Sequence, residues 1–142
     1  TDALIRDFPT LYGKPEEIRV RDTDDPFWFH VFFFGCGDGW EPLIRRLSTR
    51  LVPLVDTLKR QYAFSNDAEE AANWPKVFVQ QVKEKFGGLR YYTAYTSDVI
   101  EAEIRKAEDE SIQTCEDCGA PGTLSEKQGW MSALCPACAA KS

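Results

Sequence analysis

The sequence predicts an α+β fold, a small antiparallel sheet packed by helices and closed by a cysteine-bearing C-terminal ribbon. Three observations support this prediction. An apolar helical pattern runs from Leu43 to Tyr62, strand-like segments flank a Phe86-Gly87-Gly88 turn, and two Cys-x-x-Cys pairs lie near the C-terminus. With 142 residues, the chain has the length of an ordinary domain. We expect an α+β unit over residues 1–113 with a ribbon module, residues 114–142, packed on it.

The N-terminal part predicts one helix and one strongly apolar strand. Apolar residues recur at helical spacing over Thr1–Tyr12. The following segment is charged and contains prolines, which is typical of a connection, with one short strand at Ile18–Arg21. Aromatic residues dominate Phe27–Phe34, and they favour strands. We therefore predict Phe27–Phe34 to be the central strand of the sheet, apolar on both faces.

Two further helices follow from periodicity and from end signals. The longer one begins near Pro42, because proline suits a first helical turn, and its apolar face continues to Tyr62. Pro53 lies inside this pattern and is expected to kink the helix or divide it in two. The second helix begins at Asp98, which has the capping-pair spacing to Glu101.

The segment around Phe86 is the clearest predicted β-hairpin. A strand pattern over Val77–Lys85 meets the glycine turn and continues as Leu89–Tyr95. Its lysines and aromatic residues form a combination that can bind a nucleic-acid strand through phosphates and base stacking. The alternative is a half-buried sheet whose charges face water, and Glu84 dilutes the positive charge.

The strongest chemical signal is the pattern of two Cys-x-x-Cys pairs separated by sixteen residues. A hairpin of this length brings both pairs to one tetrahedral zinc ion. Disulfides, a redox pair or an iron–sulfur cluster are the alternatives. Four thiolates leave no open coordination position, so we predict a structural zinc ribbon rather than a catalytic metal, with Trp130, Met131 and Leu134 covering the module. The predicted Zn²⁺ ligands are Cys115, Cys118, Cys135 and Cys138.

Charge and hydropathy restrict the classes of partner. The chain has 17 Lys+Arg and 23 Asp+Glu, which gives a formal net charge of −6, and a zinc tetrathiolate would make it −8. This acidity argues against bulk phosphate binding and against an anionic membrane. The most apolar run, Phe27–Phe34, is too short to span a bilayer. We expect no membrane association and a soluble, cytoplasmic protein.

The Gly35–Gly39 loop has a structural and a functional interpretation. Its glycines fit a tight turn, with Asp38 as the cap of the next helix. As a catalytic loop it would use Cys36, which needs a base within hydrogen-bond reach. The only histidine is His30, and six extended residues span about 20 Å. The loop also lacks the endings of phosphate-binding glycine loops. We therefore predict that the protein is not an enzyme.

The motifs together resemble those of a known group. The ordered set is CGDGW at Cys36–Trp40, QVKEKFGGLRYY at Gln81–Tyr92, and the two cysteine pairs. It resembles a family of small bacteriophage and prophage proteins that has no settled activity, and the likeness covers about residues 36–138. The resemblance implies a phage or prophage accessory protein acting in the bacterial cytoplasm. Such proteins often bind a host protein, for example to inhibit a host or defence enzyme.

The expected contact regions are the Asp38–Trp40 turn and the Lys83–Tyr92 hairpin, since both place charge or aromatic rings beside glycine turns. The leading hypothesis is binding to a host protein. The alternative is a nucleic-acid-associated zinc-ribbon protein that uses the basic aromatic hairpin. The predicted contact residues are Asp38, Trp40, Lys83, Lys85, Phe86, Arg90 and Tyr92.

Overall fold

The computed structural model describes residues 2–13 and 34–141. Their arrangement confirms the α+β class. The helices are α1 (Asp2–Asp7), α2 (Pro9–Tyr12), α3 (Glu41–Ser65), α4 (Ala68–Ala71), α5 (Asp98–Ser111) and α6 (Pro136–Ala139). The strands are β1 (Phe34–Gly35), β2 (Val79–Lys85), β3 (Gly88–Thr93), β4 (Thr123–Lys127) and β5 (Trp130–Leu134). The predicted strand Ile18–Arg21 lies outside the described residues.

The main sheet has the order β1-β2-β3, and its two pairings differ in direction. β2 and β3 form the predicted antiparallel hairpin, whereas β1 pairs with β2 in parallel. The parallel pair differs from the antiparallel sheet that we expected. Parallel neighbouring strands need a long crossover connection, and helix α3, which lies between β1 and β2 in the chain, supplies it. Of the predicted central strand Phe27–Phe34, only Phe34 is described, and β2 is the middle strand of the described sheet.

Helix α3 is one continuous helix of 25 residues that passes through Pro53. The predicted division at this proline is therefore wrong. Pro53 lies on the exposed side of α3, where the carbonyl that lacks an N–H partner can turn toward water. The opposite side packs into the core through Leu43, Ile44, Leu47, Leu51 and Val55.

Helix α5 holds the outer edge of β3 against α3. Its N-cap is Ser97, whose Oγ accepts from the Ile100 N–H, so the predicted cap at Asp98 is one residue late. The last residue, Ser111, is buried, and its Oγ accepts from the Leu89 N–H at 2.9 Å. This bond satisfies an outward-facing amide of β3. The Arg50–Glu103 ion pair, at 2.8 Å, links α5 to α3.

A buried hydroxyl network joins α2, α3 and β3. The Tyr12 hydroxyl lies 2.7 Å from Ser48 Oγ and 2.8 Å from the Tyr91 hydroxyl. Ser48 Oγ also donates to the Ile44 carbonyl. Burial raises the pKa of Tyr12 to about 12, so the network remains protonated at neutral pH. It fixes the N-terminal helices to the rest of the core.

Removing the central hydroxyl tests this network. Tyr12→Phe should lower the free energy of unfolding by about 1–3 kcal/mol, because Ser48 and Tyr91 then lose a buried hydrogen-bond partner. Urea denaturation followed by circular dichroism measures the change. Tyr92→Phe is the control, since Tyr92 is exposed and should change stability little. Equal stability of both variants would contradict the proposed importance of the network.

Candidate functional site

The four predicted ligands meet at one point. The Sγ atoms of Cys115, Cys118, Cys135 and Cys138 all lie within 4.8 Å of one another, and all four thiols are free. A tetrahedral tetrathiolate centre with metal–sulfur bonds of about 2.3 Å separates its sulfurs by about 3.8 Å. The Cys118–Cys135 Sγ distance, 3.6 Å, is close to that value and too long for a disulfide. The cluster therefore fits a metal ion.

Local backbone hydrogen bonds and turns position the sulfur atoms of each cysteine pair. In the first, the Gly119 N–H donates to the Cys115 carbonyl at 2.9 Å, and Gly119 has a left-handed φ of +81°. In the second, Cys135 caps the short helix α6, and its Sγ accepts from the Cys138 N–H at 3.4 Å. Strands β4 and β5 connect the two pairs. Backbone turns, rather than long side chains, thus bring the sulfurs together.

The electrostatics of the cluster favour a cation. Burial opposes the thiolate of Cys115, but amide hydrogen bonds from Cys135, Cys118 and Asp117 lower its pKa to about 6. Side-chain hydrogen bonds with Cys135, Cys115 and Cys118 raise the pKa of Cys138 to about 12. Four thiolates cannot share this space without a compensating positive charge. A divalent metal ion would supply that charge.

The CGDGW loop docks on the first cysteine pair, and the contact is made largely by backbone atoms. The Gly39 N–H donates to the Glu116 carbonyl at 2.7 Å, and the Gly37 N–H donates to Glu116 Oε1 at 2.9 Å. The Trp40 indole N–H donates to the Thr114 carbonyl at 2.9 Å. The loop and the ribbon are therefore parts of one assembly.

This contact is close enough to exclude side chains. A Cβ on Gly39 would lie 2.3 Å from the Cys115 carbonyl oxygen, and one on Gly37 would lie 2.6 Å from the Glu116 carbonyl oxygen. From the other side, a Cβ on Gly119 would lie 2.9 Å from the Gly39 carbonyl oxygen. The glycines of the motif are explained by packing against the cysteine pair.

The hairpin turn docks on the same ribbon. A Cβ on Gly87 would lie 2.4 Å from Leu124 Cδ1 and 3.1 Å from the Ser132 nitrogen. Phe86 and Gly87 have φ values of 54° and 82°, as a two-residue type I′ turn requires. The turn is thereby placed on the β4–β5 ribbon, and Phe86 beside it is 71% exposed.

The two predicted contact residues of the CGDGW turn, Asp38 and Trp40, differ in exposure. Asp38 is exposed, but it begins a short 3-10 helix and caps no helix with its side chain, so the predicted capping role is wrong. Trp40 is fully buried in the core. The prediction that Trp40 contacts a partner is therefore wrong, because its ring packs inside the protein and its N–H is bonded to Thr114.

The five predicted hairpin residues form a coherent surface, which we call the hairpin face. Lys83 lies opposite Arg90 across the two strands, while their neighbours Val82 and Tyr91 face the core. The Nζ atom of Lys83 lies 5.7 Å from the ring centroid of Tyr92. The hairpin face consists of Lys83, Lys85, Phe86, Arg90 and Tyr92.

The lysines of this face are held over rings rather than over carboxylates. Lys85 Nζ lies 5.7 Å from the Phe86 ring centroid. Among the residues that the structure describes, neither Lys83 nor Lys85 forms an ion pair, whereas Arg90 approaches Glu108 at 3.6 Å. Two cations therefore remain available on an exposed surface.

Cys36 does not have the environment of a nucleophile. It is partly buried, and burial together with the charges of Glu116 and Asp38 raises the pKa of its thiol to about 12. His30, the only histidine in the sequence, lies outside the described residues. The thiol of Cys36 is thus protonated at neutral pH.

Sequence reasoning missed two features of the site. Trp130 was expected to cover the ribbon module, yet it is 77% exposed near the ribbon turn. Glu116 holds the CGDGW loop through both its carbonyl and its carboxylate. Its only sequence signal is a position inside the first cysteine pair, which does not identify a distant contact.

Comparison with protein-family models, with curated proteins and with solved structures gives no match. Within residues 2–13 and 34–141, no helix has both the length and the apolar character needed to cross a membrane.

Loss of one cysteine should affect both the cluster and the loop docked on it. Cys135→Ser should lower bound metal and the midpoint of thermal unfolding, because three thiolates remain. Amide hydrogen exchange at Gly37 and Gly39 should accelerate, since both donate to Glu116. Cys36→Ser is the control and should retain the metal. Unchanged metal content and melting in Cys135→Ser would contradict the site.

Adding one methyl group tests the close approach of the loop. Gly39→Ala should destabilise the protein by about 1–3 kcal/mol, because its Cβ would collide with the Cys115 carbonyl. The neighbouring Asp38→Ala is the control, and its exposed side chain predicts a change within about 0.5 kcal/mol. Urea unfolding of both variants measures the difference, and a neutral Gly39→Ala would show that the contact is loose.

Proposed function

We propose that the metal is zinc and that its role is structural. Four thiolate ligands suit zinc, and together they fill a tetrahedral coordination sphere without leaving a position for substrate or water. The cluster lies where the CGDGW loop docks, and the hairpin turn docks on the ribbon that joins its two cysteine pairs. When bound, zinc would cross-link the two cysteine pairs of the ribbon and would not take part in a reaction. This role agrees with a protein that is not an enzyme.

The function that the geometry supports best is binding of a partner protein through the hairpin face. The observation that carries it is Phe86, a bulky residue that is 71% exposed and held at a left-handed φ of 54°. This conformation costs a non-glycine residue about 1–2 kcal/mol. A strained and exposed aromatic side chain is explained if it contacts a partner.

The surroundings of Phe86 favour a specific interface. Its turn rests on the ribbon through Gly87, so the ring projects from a supported position rather than from a mobile loop. Lys85 lies over the Phe86 ring and Lys83 lies over the Tyr92 ring of the same face, and their positive charge can steer an acidic partner surface. Aromatic anchors with a charged rim are typical of the residues that dominate binding energy.

The biological setting that we propose follows from the resemblance of the CGDGW, hairpin and cysteine motifs to those of phage and prophage proteins. In that setting the protein is a phage or prophage accessory protein in a bacterial cytoplasm, and the partner is a host protein, for example a host or defence enzyme that it inhibits. The acidity of the chain supports a protein partner over a long polyphosphate.

An affinity experiment tests this function. The full chain, purified with its metal, is used as bait in bacterial lysate with and without nuclease. We expect the bait to capture one host protein in stoichiometric amount, with or without nuclease treatment. The Phe86→Asn variant should not capture it, because asparagine suits the turn geometry but lacks the ring. Phe64→Ala is the matched control, since Phe64 is 94% exposed and lies on α3, away from the hairpin.

Nucleic-acid binding is the second candidate, and the exposed Tyr92 and Phe86 rings beside lysines favour it. It predicts bait-associated material that disappears on nuclease treatment, and affinity for single-stranded DNA that falls steeply with salt. That outcome would replace the protein-binding proposal. Capture of a host protein that is equally strong with wild type and Phe86→Asn would refute the role of the hairpin face.

A further inference from the structure

The β4–β5 ribbon has a well-defined hydrogen-bond register. Lys127 lies opposite Trp130 across a two-residue turn, and the turn residues Gln128 and Gly129 have φ values of 53° and 83°. In a type I′ hairpin, the residues that flank the turn exchange both backbone hydrogen bonds. Hydrogen-bonded and non-hydrogen-bonded pairs then alternate along the strands. Every second residue therefore directs its N–H and C=O away from the partner strand.

The two outer edges of the ribbon differ in how these groups are used. On β5, the outward carbonyl of Ala133 accepts from the Glu116 N–H at 2.9 Å, which agrees with the register. On β4, the outward groups belong to Leu124 and Glu126. Neither has a backbone partner outside the ribbon among the residues that the structure describes. The outer edge of β4 is an open strand edge.

The side chains along this edge are also accessible. All five residues of β4 are exposed, and Leu124 is 39% exposed despite its apolar side chain. Leu124 and Glu126 are two residues apart and therefore lie on the same face of the ribbon. Within the described part of the chain, Glu126 forms no ion pair. An apolar and an anionic side chain thus flank the open backbone groups.

We propose that the outer edge of β4 binds an extended segment of another polypeptide, which adds to the ribbon as a third strand. Backbone hydrogen bonds to Leu124 and Glu126 supply affinity in this binding mode, and side-chain pairs supply selectivity. The segment carries an apolar residue opposite Leu124 and a lysine or arginine opposite Glu126, two positions apart. Opposite charges on directly facing residues stabilise such strand pairs. Leu124 also packs on Gly87, so this edge adjoins the hairpin turn, but the backbone groups that it offers are distinct from the side chains of the hairpin face.

A displayed library of random linear 12-residue peptides, selected on the metal-loaded full chain, tests the proposal. We expect the enriched peptides to carry an apolar residue and a lysine or arginine two positions apart. Glu126→Pro removes one outward N–H, and proline is tolerated at such an edge position. Relative to Glu126→Ala, which also lacks the carboxylate but keeps the N–H, it should weaken binding by about tenfold.

A second measurement is independent of how well the proline variant folds. In an enriched peptide, N-methylation of a residue whose N–H pairs with β4 should abolish binding, while N-methylation of the next residue should be tolerated, because strand pairing alternates. Phe64→Ala, at an exposed residue of α3, should leave peptide binding unchanged. A selection without enrichment, equal affinity of the Pro and Ala variants, or N-methylation effects without alternation would overturn the proposal.

Discussion

The close backbone approach between the CGDGW loop and the first cysteine pair organises this structure. The Gly39 N–H donates to the Glu116 carbonyl at 2.7 Å, and the Gly37 N–H donates to the side chain of the same residue. No side chain fits between these segments, so glycines are required on both sides of the contact. Because Trp40 follows directly and is buried at the start of α3, the contact also positions the ribbon relative to the main core.

The hairpin is fixed to the same assembly by a second glycine contact. Gly87 lies against Leu124 and Ser132 of the ribbon, and Ser111 of α5 closes the outer edge of β3. Motifs that lie far apart in sequence therefore share one arrangement, in which the ribbon that joins the two cysteine pairs supports the turn that carries Phe86. The surface that we propose for partner binding would lose little conformational entropy on binding, because this support already holds its backbone in place.

Charge is distributed unevenly over this acidic chain. The net charge of −6 opposes a long polyanion, but Lys83 and Lys85 are concentrated on one sheet face and lie over aromatic rings. Ring contacts leave the ammonium groups unneutralised, whereas an ion pair would reduce their attraction for a partner. The hairpin face is thus a local positive surface on a negative protein, an arrangement that suits a compact acidic partner surface better than extended nucleic acid.

The sequence by itself determined the features that depend on local spacing: the four-cysteine cluster, the glycine hairpin with its cationic face, and the positions of α3 and α5. Periodicity and turn chemistry act over a few residues, so one chain is enough to infer them. Tertiary structure alone decided the parallel pairing of β1, the burial of Trp40, the exposure of Trp130 and the continuity of α3 through Pro53. These depend on which distant surfaces meet, because burial is a property of the packed whole rather than of the residue.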